Sequence, residues 1–133
     1  MPIAHSFVLE ELQSFYSPDR LRIKAMFGSH ELYVDEKIIF ILRLKASAET
    51  ARDNGIWVAL AAPEVGPSLR KDVPSLREIE MFQAEGRAGF AGWLNLPVEV
   101  DGFEEMAFEL CRLVKRSDPR IGKIPKAKRK RTK

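Results

Sequence analysis

Runs of apolar positions divide the chain into elements before any other property is considered. Near the N-terminus Phe7, Leu12, Phe15 and Tyr16 fall on one helical face, predicting a helix over residues 7–16 with Ser6 as its cap. Ser17-Pro18-Asp19 ends it, since proline disfavours helical backbone in the residue before it. Three strands follow as an antiparallel meander. They are Arg22–Phe27 up to a turn at Gly28, Leu32–Val34 up to the polar turn Asp35-Glu36-Lys37, and Ile38–Leu42. The last of these is apolar at every position, the pattern of a central strand covered on both faces. Residues 45–53 are polar and read as loop or a short helical turn. Asn54-Gly55 signals a tight turn leading into a strand over Ile56–Ala61.

Pro63, Gly66, Pro67 and Pro74 punctuate a surface loop. Ser75 and Glu78, three apart, match a capping box and predict a short helix over residues 76–82 with Leu76 and Ile79 turned inward. Residues 89–96 read as a final strand loosened by Gly89 and Gly92. The clearest element is a helix capped by Asp101, with Phe103, Met106, Ala107, Leu110, Cys111 and Val114 forming an apolar stripe. Asp118-Pro119 terminates it. The sum is an α+β domain over residues 1–120, an antiparallel β-sheet meander flanked by N- and C-terminal helices.

Charge alters the picture only at the C-terminus. The net charge of +3 conceals a body of −6 over residues 1–114 and a segment of +9 over residues 115–133. Residues 121–133 therefore read as a basic, flexible tail. Seven cations fall within its last eleven residues (Lys123, Lys126, Lys128, Arg129, Lys130, Arg131 and Lys133) with no acid among them. Such a run repels itself and buries no core. It is the candidate nucleic-acid contact, neutralising phosphates without reading sequence.

Candidate chemistry is sparse. Cys111 is the sole cysteine, which excludes an internal disulfide, and its place in the helical stripe makes it a core thiol. His5 and His30 read as ordinary surface or loop residues, too few for a metal site. Residues 86–92 are glycine-rich but lack the Gly-Lys-Ser/Thr ending of a phosphate loop. Glu104, Glu105, Glu109 and Arg112 read as a solvated helix face. No catalytic, cofactor or metal residue is assigned, and the chain is expected not to be an enzyme. A small-molecule pocket near Trp57, Trp93 and His30 is a minor alternative. The N-terminus lacks a basic leader, and the longest apolar run is far short of the roughly 20 residues of a membrane span. With the lone thiol, this points to a bacterial-type cytoplasmic location and no membrane partner.

Lys24-Ala-Met-Phe-Gly28, Glu31-Leu-Tyr-Val-Asp35 and Lys37-Ile-Ile-Phe40 together resemble the N-terminal domain of the TfoX/Sxy family. The match is most specific over residues 22–42. Glu36 replaces the usual hairpin glycine, and residues 54–93 look like a divergent subgroup. The resemblance implies an α+β fold similar to secretion-chaperone-like domains, standing alone without the helical second domain of the competence regulators. It transfers no catalytic residues. The function expected is a binding or regulatory module acting through protein contacts, with an unidentified protein or a second copy as partner. An accessory nucleic-acid-binding role of the tail is the alternative.

Overall fold

Lys37–Arg43 lies at the centre of the sheet, and six of its seven residues are buried. The computed structural model describes residues 3–26, 28–46, 51–80 and 92–124. Their elements are α1 (Ser6–Gln13), β1 (Leu21–Met26), β2 (Ser29–Val34), β3 (Lys37–Arg43), β4 (Gly55–Ala59), a 3₁₀ turn (Pro63–Val65), α2 (Gly66–Asp72), β5 (Trp93–Pro97) and α3 (Phe103–Lys115). The five strands form one antiparallel sheet in the order β1-β2-β3-β4-β5. This is the α+β meander that the hydrophobic pattern predicts.

Strand β3 is apolar from Ile38 to Leu42 because both faces of the sheet are buried there, and its register with β2 shifts at a bulge between Leu32 and Tyr33. Phe40 and Leu42 join Ile56, Val58, Leu94 and Leu96 under the helices, where Val8, Leu12, Leu110 and Cys111 meet them. Ile38 and Ile41 join Trp57, Ala59 and Ile79 on the opposite face. The bulge lets Ile39 turn to the helix side next to Phe40, where regular alternation would have placed the two on opposite faces. Helices α1 and α3 are tied by the Tyr16 hydroxyl, which donates to the Val114 carbonyl at 3.0 Å, and by a Lys115–Glu11 ion pair at 2.6 Å.

Several local expectations are corrected. Helix α1 starts at Ser6, with His5 in the left-handed region at the cap position and no side-chain cap. It ends after Gln13, so Phe15 leaves the helical period and is 56% exposed, while Val8 and Leu9 take the core positions. Gly55 is no turn residue: it is the first residue of β4, paired with both Arg43 and Pro97. The proline-rich stretch after Pro63 is helical. Pro67 sits in the first turn of α2, where its missing N–H costs no bond.

Ser75 caps no helix over residues 76–79. Arg77 instead exchanges backbone bonds of 2.9 and 2.8 Å with Asn95 on the outer edge of β5, and this pairing competes successfully with the capping box. Leu76 and Ile79 are buried as expected. Glu80 is helical, while the remainder of that predicted helix, at 81–82, and the first part of the predicted strand, at 89–91, lie outside the described residues. In α3 the apolar stripe is as read, but Gly102, at φ 74°, holds the cap position in place of Asp101.

Of the residues assigned to the tail, 121–124 belong to the folded body. The Phe40↔Val58 rung is the last between β3 and β4 at that end. Beyond it Ile38 pairs with Lys123 and Leu60 pairs with Ile121. Residues 121–123 thus lie between the two strands as they separate, with Ile121 buried in the main core.

Candidate binding groove

The β2–β3 turn, the end of α3 and the chain that follows it enclose a cavity of about 520 Å³ at that end of the sheet. Its floor is apolar, built from Tyr16, Val34, Ile39, Val114 and Ile121. Its rim comes from Arg20, the β2–β3 turn, the turn after α3 (Ser117–Pro119) and the exposed Ile124.

The turn side of the rim is fixed by a bidentate pair. Arg20 donates through Nε and Nη2 to the Asp35 carboxylate at 3.0 and 2.8 Å, and Arg22 donates to the Asp35 carbonyl at 2.8 Å. These bonds hold Asp35 in the left-handed region at φ 57°, a conformation that aspartate tolerates well. The hydrogen bonds from Arg20 also keep the Asp35 carboxyl below the usual carboxylate range. The Arg20 guanidinium lies 5.2 Å from the centre of the Tyr16 ring, covering one edge of the floor. Burial raises the Tyr16 phenol, which therefore stays neutral and donates inward.

On the helix side Arg120 organises the rim. Its guanidinium donates to both oxygens of Asp118 at 2.9 and 2.8 Å, to Asp72 at 2.7 Å and to the Ser68 hydroxyl at 2.9 Å. Helix α2 is thereby fastened to the turn after α3. The Asp118 carboxyl is held below its ordinary value, chiefly by these bonds from Arg120. Ser117, at φ 59°, lets the chain reverse out of α3 into this turn.

The sequence candidates are placed differently. Lys123 pairs through its backbone with Ile38, and its ammonium stands 4.8 Å from the centre of the Trp93 ring. Lys126, Lys128, Arg129, Lys130, Arg131 and Lys133 lie outside the described residues. Trp57 is 8% exposed, donates from Nε1 to the Asp53 carbonyl at 2.9 Å, and meets Trp93 edge-on at 6.5 Å. Neither the groove nor a second, more open hollow around His5, Phe7 and Phe103 is lined by Trp57, Trp93 or His30.

His5 is more than a loop residue. Its Nε2 lies 3.0 Å from the Arg43 carbonyl, its ring packs 5.3 Å from Phe103, and burial lowers its pKa. His30 is a half-buried residue of β2. Glu109 and Arg112, read from the sequence as part of a solvated face, form an ion pair at 2.6 Å on α3. Cys111 is fully buried, and burial pushes its thiol up to about 12. Among the described residues no group of three or more His, Cys, Asp or Glu is placed to hold a metal ion, and no helix is long and apolar enough to cross a membrane.

Sequence reasoning missed the residues that frame the groove. A signal for one pair was present: in the β1–β2 register Leu21 faces Val34, so Arg20 and Asp35 fall opposite each other one step further. The Arg120–Asp72 link has no such signal, because 48 residues separate the partners. No protein-family model, no curated protein and no solved structure matches the chain.

Proposed function

We propose that the chain is a non-enzymatic module that binds a segment of another protein, seating a bulky apolar side chain of that segment in the groove beside Tyr16, Ile39 and Ile121. The observation that carries this reading is the groove itself. Its volume of about 520 Å³ is within the range of sites that enclose a ligand group. An apolar floor inside a rim of both charge signs favours a peptide with one hydrophobic anchor and polar flanks over a purely apolar ligand. The resemblance to TfoX/Sxy N-terminal domains agrees with a regulatory role through protein contacts, in a bacterial cytoplasm.

The test uses the whole chain carrying a photo-crosslinking residue at the exposed rim position Glu36. The expected result is one partner protein, lost when Ile124, an exposed wall residue, is changed to Asp. An unchanged adduct pattern in the Ile124→Asp chain would refute the groove. Recovery of nucleic acid instead, abolished by added salt, would move the function to the cations of residues 126–133.

A further inference from the structure

The two edges of the sheet are finished differently. On β5 the outer backbone is paired with Arg77 at Asn95, and the strand ends at Pro97. On the other side β1 pairs with β2 alone among the described residues, through six consecutive pairs with no bulge and no proline. Edges of this kind are usually short, bulged or covered.

The direction of the open groups follows from the ladder. Asp35 donates its backbone N–H to the Arg20 carbonyl at 2.8 Å, which makes Arg20 and Asp35 a hydrogen-bonded pair. Such pairs alternate along an antiparallel ladder, so Arg22 and Lys24 direct their backbone groups at β2. Ile23 and Ala25 direct theirs outward, and among the described residues neither makes a backbone bond beyond the ladder. Both are exposed, Ile23 at 40%. Leu21 is different, since its N–H is already donated to the Ser17 carbonyl.

The side chains choose the occupant. Arg22 and Lys24 share one face of β1, and both are exposed. In a strand added to this edge they would occupy the non-hydrogen-bonded positions, where facing side chains are closest. A second copy related by a two-fold axis at Ile23 would set Arg22 against Lys24 twice. An axis at Arg22 or at Lys24 would set each cation against itself.

We propose that the outer edge of β1 receives an extended protein segment in which acidic residues alternate with apolar ones, adding a sixth strand to the sheet. Main-chain bonds to Ile23 and Ala25 supply the pairing, and carboxylates opposite Arg22 and Lys24 select the partner. Arg22 borders both sites through its bond to the Asp35 carbonyl, whereas Ile23, Lys24 and Ala25 do not line the groove, so the Ala25→Pro chain should lose binding at the edge and keep it at the groove.

The probe is the peptide acetyl-Thr-Val-Glu-Val-Glu-Val-Thr-amide, titrated into the isotope-labelled full chain and followed by amide chemical shifts. The acidic peptide should move the amides of residues 21–26, those of Ile23 and Ala25 most. The counterpart with lysine for glutamate should bind about tenfold more weakly, since two cross-strand pairs change from attraction to repulsion. Ala25→Pro removes one outward N–H without touching a bond to β2, and proline is tolerated on an edge in that orientation. This variant should keep its melting temperature and lose the shifts. Replacing Arg22 and Lys24 together by Glu should reverse the preference between the two peptides. Equal binding of both peptides, shifts located elsewhere, an unaffected Ala25→Pro chain, or concentration-dependent shifts of residues 21–26 without peptide would each overturn the proposal. The last of these would show a second copy on the edge.

Discussion

Replacing Gly55 by alanine should be among the most damaging conservative changes in the molecule, while the same change at Gly66 should be harmless. A Cβ on Gly55 would stand 2.0 Å from the Leu96 carbonyl oxygen, 2.7 Å from Asn95 Oδ1 and 2.9 Å from the Leu96 carbonyl carbon. Two of these atoms are backbone of the adjacent strand and cannot swing aside. The residue also has φ 149°, a conformation that L side chains rarely adopt. Backbone strain of that kind costs about 1–3 kcal/mol, and overpacking against a fixed neighbour costs about 1–3 kcal/mol more.

A combined loss of about 2–6 kcal/mol is a large share of the roughly 5–15 kcal/mol that stabilises a domain. For 133 residues the unfolding entropy is about 0.28 kcal/mol per degree, so the melting temperature should fall by about 7–21 °C. At Gly66 the added Cβ meets its nearest atom, Leu60 Cδ1, at 3.6 Å, an ordinary contact, and the backbone is helical at φ −55°. Alanine there should be neutral or stabilising by up to about 1 kcal/mol. Thermal and urea denaturation followed by circular dichroism measure both. A Gly55→Ala loss under about 1 kcal/mol, or equal losses at the two positions, would refute the close approach of β4 to β5 as the reason for this glycine.

Two further outcomes follow from titratable groups. Because Arg120 lowers the folded-state pKa of Asp118, their pairing contributes fully above the unfolded value near 3.9 and is lost as pH falls through the lower folded value. The stability gap between the wild type and Arg120→Gln should thus be constant from about pH 7 to pH 5 and shrink below about pH 4; a gap independent of pH would contradict the coupling. Cys111, with its thiol pushed up to about 12 and no exposed surface, should resist a thiol reagent in the native chain and react fully in denaturant, and stoichiometric native labelling would contradict its burial.

The elements legible in the sequence are those whose burial repeats with their own period. Strand β3 is apolar on both faces because the sheet is covered on both, and the stripe of α3 matches the one face it buries. The elements that escaped are those decided by distant backbone. Ser75 and Glu78 carry a local helix-start signal, but the open edge of β5 offers Arg77 two backbone bonds over an 18-residue separation. Asn54-Gly55 carries a local turn signal, and the glycine is indeed needed for positive φ. The need arises from the nearness of Leu96 and not from a chain reversal. Helix α2 opens on Gly-Pro, which reads as a breaker although proline suits a first turn.

The groove was invisible for a related reason, because no single stretch of sequence contains it. Its floor draws on Tyr16 after α1, the end of β2, the bulge residue Ile39, the end of α3 and the residue Ile121. The last of these is decisive. Charge along the chain assigns everything after residue 120 to a solvated tail. Ile121 and Gly122 carry no charge, however, and β3 and β4 separate beyond the Phe40↔Val58 pair, leaving backbone groups of Ile38, Ala59 and Leu60 without rungs from each other. Ile38 exchanges its bonds with Lys123, Ala59 accepts from the Gly122 N–H, and Ile121 fills the core beneath them. The same three residues place Ile124 on the wall of the groove. A chain cut after Pro119 would therefore lose part of its core and its candidate site together.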